Sequence, residues 1–202
     1  TIVIYLLFAN STVASSTSTN IKCNLDSYNP ATTTELDLKK CGLAALPDTI
    51  STFGSLTKLD LSHNPNLDSL PSLPPTLTTL FALGSGFSTI PPAVAALPSL
   101  RMLSFKSCRL RDVGALPLPT SLQWLILTDN KLHSLPASIG GLVRMRKLML
   151  ANNQLGALPE SMAAMADLEL LRLANNRLPA IPDWLLRLPT LTWLAIAGNP
   201  CV

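Results

Sequence analysis

Two histidines, His63 and His133, and four cysteines, Cys23, Cys41, Cys108 and Cys201, are the side chains of this chain best suited to acid–base, nucleophilic or metal chemistry. Their spacing argues against all three. The histidines lie far apart, one beside Asn64 and one beside Leu132, and each reads as a solvated loop residue. The chain contains no Cys-x-x-Cys, no His-Glu-x-x-His, no Gly-x-Ser-x-Gly and no Walker loop. Gly84-Ser85-Gly86 is too short to cradle a phosphate and reads instead as a relaxed turn. The expectation is a protein without catalytic residues, metal or cofactor.

The chemistry left is recognition. Phe81, Met102, Trp124, Ile126, Met149, Leu170 and Trp193 recur at a regular interval, with Leu83 beside them and with Lys106, Lys147 and Arg172 interspersed. Trp and Met favour interaction surfaces. Glu35, Asp37 and Asp60 precede them, so the stripe reads as acidic at its first end and basic in its later half.

What positions these residues is an eleven-residue phrase, Leu-x-x-Leu-x-Leu-x-x-Asn-x-Leu. Its cleanest copy is Leu168, Leu171, Leu173, Asn176, Leu178, and copies open at 122, 145 and 168, a period of 23 residues. Degenerate copies open at Thr33, Leu56, Leu77 and Leu100, and a last one at Leu191, giving eight. The copy at Leu56 carries one extra residue, Asn66. Leucines at the fourth and sixth places alternate along a short strand and so share a face. One copy has nothing to bury them against, and stability must come from stacking. Each buried Leu then contributes roughly 1.5–3 kcal/mol. The third, fifth and seventh places face the other way, which puts the stripe above on one surface.

Asn64, Asn130, Asn153, Asn176 and Asn199 should form a ladder, each amide satisfying backbone groups where the chain leaves its strand. Cys41, Ser85 and Cys108 stand in that place in the other copies. A Leu-Pro or Ile-Pro step follows, at Pro47, Pro71, Pro91, Pro136, Pro159 and Pro182. Pro suits a turn or the start of a short helix. Residues 159–165 can carry a helical turn or two, whereas Pro71 to Pro75 and Pro117 to Pro119 predict extended connectors.

Charged residues make up 13% of the 202 residues, and the net charge is +3, too small to indicate nucleic acid. Mean hydropathy is +0.35, yet no apolar run reaches the length of a spanning helix. Residues 1–20 are hydrophobic and then Ser/Thr-rich, with a sequon at Asn10. They read as a leader, a signal peptide truncated at its start and cleaved after Thr12-Val13-Ala14, or else as a strand or boundary within a longer protein. Residues 21–32 would cap the array, and 33–202 are the repeats.

Phrase and period together resemble the leucine-rich repeat superfamily across residues 33–202. The implied fold is an α/β leucine-rich repeat solenoid, a curved right-handed superhelix with a parallel concave sheet and short helical or extended convex connectors. Leu135-Pro136-Ala137-Ser138-Ile139-Gly140 resembles the typical subtype of signalling proteins. Leu122 to Asn130 and Pro182 to Pro200 resemble the repeat region of leucine-rich-repeat protein kinases, although no kinase motif is present. The connectors at Leu70 to Pro75 and Leu116 to Pro119 resemble those of secreted bacterial effectors. In extracellular relatives the cap carries a disulfide, which here would join Cys23 to Cys41; the alternative keeps Cys41 reduced in its Asn place.

The resemblance implies a non-catalytic module that binds a protein or peptide on its concave face, secreted or at the cell surface. Two alternatives accompany it: the sensor segment of a kinase whose catalytic domain adjoins it, and a cytoplasmic scaffold for small-GTPase signalling. For the apolar stripe itself, mutual packing between neighbouring strands stands beside the partner-site reading.

Overall fold

In the computed structural model, residues 21–114 and 116–202 are described; the leader and Asn10 lie outside them. Each copy of the phrase contributes one three-residue strand: β1 (Glu35–Asp37), β2 (Lys58–Asp60), β3 (Thr79–Phe81), β4 (Met102–Ser104), β5 (Trp124–Ile126), β6 (Lys147–Met149), β7 (Leu170–Arg172) and β8 (Trp193–Ala195). They form one parallel sheet in sequential order, β1 to β8, with every strand paired to the next residue for residue. Even the copy lengthened by Asn66 keeps register, because Asp60 still pairs with Phe81.

The strand-centre leucines Leu59, Leu80, Leu103, Leu125, Leu148 and Leu171 are wholly buried, as are Leu61, Leu127, Leu150 and Leu173 two places on. Ala82 is the small member of that second row. Next to it Phe87 and Phe105 meet edge to face at 5.0 Å, both fully buried, so two aromatic rings occupy volume that Ala82 leaves.

The asparagine ladder is present. Asn130 Nδ2 donates to the carbonyl of Leu127 in its own repeat and of Phe105 in the repeat before, while its Oδ1 accepts from the Leu110 N–H. Asn64, Asn153, Asn176 and Asn199 repeat the pattern. Where Asn is missing the ladder thins: Ser85 Oγ donates to Leu61 O at 3.0 Å and Cys108 Sγ to Ala82 O at 3.0 Å. Beside it runs a row of residues in the left-handed region, including His63, Ser107, Asp129, Asn152 and Asn175, with Gly84 and Gly198 in the same place. Asn175 donates to Asn152 and Asn152 to Asp129, so this row is also hydrogen-bonded from repeat to repeat.

The helical connectors are all 3-10 turns of three to five residues, such as Asp48–Thr52, Pro92–Ala96, Ala137–Gly141 and Glu160–Ala164; no α-helix occurs among the described residues. Pro47, Pro91, Pro136 and Pro159 sit at their N-caps. A 3-10 turn closes with fewer residues than an α-turn and climbs faster, which suits a connector this short. The proline-rich stretches at Pro71 to Pro75 and Pro117 to Pro119 carry no helix.

At the first edge, 3-10 turns Ile21–Cys23 and Leu25–Ser27 lie over the core, with Leu25 and Tyr28 packed against it. A disulfide joins Cys23 to Cys41, with their Cα atoms 5.4 Å apart. Cys41 is therefore not a buried thiol in the place of Asn. Cys201, at a leucine place of the last copy, is a half-buried thiol, because β8 has a neighbour on one side only.

Candidate recognition face

The side of the sheet away from the core carries two straight rows. In the first, Met102 lies beside Trp124, Trp124 beside Lys147, Lys147 beside Leu170, and Leu170 beside Trp193. In the second, Phe81, Ser104, Ile126, Met149 and Arg172 are consecutive neighbours. In-register pairing is what aligns them, since a parallel pair without slip places equivalent side chains side by side. Lys106 follows β4 on the same side, at the seventh place of the phrase.

Phe81, Met102, Lys106, Trp124, Ile126, Lys147, Met149 and Leu170 are half-buried, and Arg172 is exposed. Side chains on adjacent strands shield one another's flanks and leave their outer surfaces to solvent. Trp193, flanked on one side only, is 59% exposed. Ser104 is buried and interrupts the second row between Phe81 and Ile126. Lys147 Nζ stands 4.2 Å from the Trp124 ring centroid, a cation–π contact across adjacent strands.

The charge pattern differs from the sequence reading at the first end. Glu35 is paired with Lys58 at 3.0 Å, Asp37 with Lys22 at 2.9 Å and Asp60 with Lys39 at 3.1 Å. Three carboxylates each with its own ammonium make that end close to neutral, not acidic. The Lys22 hydrogen bond, helped by the Lys39 backbone N–H, holds the Asp37 carboxyl below its ordinary pKa. Asp60 in turn raises that of Lys39.

An open depression of about 340 Å³ lies along the leading ends of β3 to β7, lined by Thr78, Thr79, Arg101, Met102, Gln123, Trp124, Arg146, Lys147 and Glu169. Arg101, Gln123, Arg146 and Glu169 occupy the second place of the phrase, to which the sequence reading assigned no role. The signal that could have found them is the same period, read one place earlier. Glu169 is held by Arg146, Nε to Oε1 at 2.8 Å. Arg101, Lys106, Lys147 and Arg172 have no carboxylate partner among the described residues.

The potential chemical groups lie elsewhere. His63 and His133 are exposed, and the His63 ring lies over Gly84, where a Cβ would sit 3.0 Å from Nδ1. Among the described residues no cluster of three His, Cys, Asp or Glu side chains could hold a metal, and no helix is long and apolar enough to cross a membrane. Burial pushes the Cys108 thiol up to about 11.

A one-layer parallel sheet with an in-register ladder and a part-apolar outer face defines a solenoid repeat protein. Leucine-rich repeat family models match residues 55–80, 121–142 and 143–200, and the chain belongs to the leucine-rich repeat proteins. Among solved structures it is similar to YopM, a leucine-rich effector protein from Yersinia pestis, at 26% identity and a TM-score of 0.68 over 82% of this chain and 49% of that one. An internalin from Listeria monocytogenes matches at 19% identity and a TM-score of 0.62, over 77% of this chain and 52% of that one. A leucine-rich repeat protein from Leptospira interrogans matches at 24% and 0.52, over 89% and 64%. The last two likenesses establish the fold alone. The chain thus spans about half to two thirds of the length of these structures. No curated protein sequence matches it significantly.

Proposed function

We propose that the chain is a non-catalytic recognition module that binds a protein or peptide on the outer, concave face of its sheet. The observation that carries this reading is the depression beside Trp124, where half-buried apolar side chains and unpartnered cations share one surface. The frame beneath it needs none of them: the leucine rows and the asparagine ladder hold the fold. Apolar area left on a face that could have been polar without structural cost marks an interaction site. The Cys23–Cys41 disulfide supports secretion or cell-surface display, because such bonds persist in oxidising compartments.

Photo-cross-linking tests the reading. Benzoylphenylalanine placed at Ile126, on the sheet, should yield a discrete adduct with a partner from the secreting cell's surroundings, whereas the same group at Ser138, on a connector, should not. Equal adducts at both positions, or adducts at Ser138 alone, would move the site off the sheet.

A further inference from the structure

On the outer face of the sheet, carboxylates match the cations at the first end but not in the later half. At β1 and β2 every outward carboxylate is matched, Glu35 by Lys58, Asp37 by Lys22 and Asp60 by Lys39. From β4 onward the balance is reversed. Arg101, Lys106, Lys147 and Arg172 have no acidic partner among the described residues. Glu169 is the one carboxylate lining the depression, and Arg146 already occupies it.

We propose that the depression takes an acidic polypeptide segment, an inference that rests on the recognition reading above and specifies its ligand. Arg101 presents a guanidinium whose fork matches a carboxylate in bidentate geometry. Lys147 is supported on one side by the Trp124 ring at 4.2 Å. A cation–π contact does not use its N–H donors, so the ammonium is positioned and can still donate to a carboxylate. The two cations come from the copies of β4 and β6, two strand spacings apart or roughly 10 Å. Trp124, on the intervening strand, and Met102, next to Arg101, offer an apolar floor for an aliphatic or aromatic side chain. The ligand is thus a segment with two carboxylates about 10 Å apart flanking an apolar residue. A neutral partner would cover Arg101 and Lys147 without compensating them, which is costly. A nucleic acid would find few cations and a single tryptophan at this site, against the basic stripe its phosphates require.

The test is selection of a random dodecapeptide display library on the full chain. Enrichment of peptides carrying paired Asp or Glu is expected. A synthetic enriched peptide should lose about tenfold or more in affinity between roughly 0.05 and 0.5 M salt, and a similar factor on Arg101→Glu with Lys147→Glu. Should that pair lower the melting temperature, Arg101→Gln with Lys147→Gln carries the comparison without reversing charge. Enrichment of neutral or basic peptides that no longer bind after Trp124→Ala overturns the acidic ligand and leaves the face standing. Peptides indifferent to Trp124→Ala and Met149→Ala, or no enrichment at all, overturn both. Tighter binding of a single-stranded oligonucleotide that displaces the peptide overturns the proposal in favour of nucleic acid.

Discussion

Asn153 accepts a hydrogen bond at 3.1 Å from the backbone N–H of Leu132, one repeat earlier. The same amide donates to Leu127 O at 2.9 Å and to Leu150 O at 3.0 Å, so one side chain satisfies backbone groups of two repeats. Asn153→Ala leaves those groups buried without partners, at about 1–3 kcal/mol for each group left unsatisfied. The expected loss of unfolding free energy in urea is about 3 kcal/mol or more. Its neighbour Asn152 is exposed with φ of 56°, and Asn152→Gly relieves that backbone while losing two exposed bonds, the one it donates to Asp129 and the one it accepts from Asn175. That change should stay within about 1 kcal/mol. Equal effects at the two positions would remove the ladder as a source of stability.

Gly86 is required by the lengthened phrase of the copy beneath it, where Asn66 is inserted. A Cβ there would lie 2.6 Å from the Pro65 carbonyl oxygen. The same place holds Arg109, Lys131, Gln154 and Arg177 in later copies, where the preceding repeat lacks an inserted residue. Gly86→Ala should therefore cost about 1–3 kcal/mol by overpacking. Deleting Asn66 in the same chain should recover most of it, which paired thermal melts would show.

Replacing Cys23 and Cys41 together by Ser frees the first edge. For a loop of 18 residues the expected destabilisation is about 3 kcal/mol. Hydrogen exchange should rise most in β1 and least in β6 and β7, because nearest-neighbour stacking confines the damage. A uniform rise would mean that the array unfolds as one unit.

The two thiols should differ in reactivity. Cys108 is buried, donates to Ala82 O, and has its pKa pushed up to about 11, so little of it is thiolate near neutral pH. Cys201 is half-buried. Alkylation at pH 8 followed by mass spectrometry should find label on Cys201 first and on Cys108 only after denaturation. Prompt labelling of Cys108 in the native protein would contradict its burial.

Trp124→Ala with Met149→Ala separates binding from folding. Both side chains are half-buried on the outer face, and the core leucines beneath them are untouched. The pair should cost about 1–3 kcal/mol in urea, less than full burial implies, and should abolish capture of the cross-linked partner. Retained capture would place the site elsewhere.

The register of the sheet was legible because a period of 23 residues with leucines at fixed places admits one stacking. The outward rows followed from the pleat. Pairing of charges was legible only in part: Lys58 follows Glu35 in one row, but Lys22 and Lys39, which neutralise Asp37 and Asp60, lie outside the row that holds those carboxylates. The choice between a thiol and a disulfide at Cys41 needed the position of Cys23, which no periodicity fixes. Arg101 and Arg146 were overlooked because they precede the strands, although their long side chains reach the same surface. The connectors read as helical, but proline position alone does not distinguish a 3-10 turn from an α-turn.

The unslipped register also makes the face a measuring scale. Its rows advance by about 4.8 Å per repeat, whereas a β-extended ligand returns a side chain to the same side about every 6.8 Å. The two scales coincide only near every third repeat. A polyproline-type ligand advances about 9.3 Å in three residues, close to two repeats, and stays in step with alternate strands. On that scale β4 and β6 share a parity, and for a ligand seated on the proposed face the array would act as a vernier that separates ligand conformations by pitch.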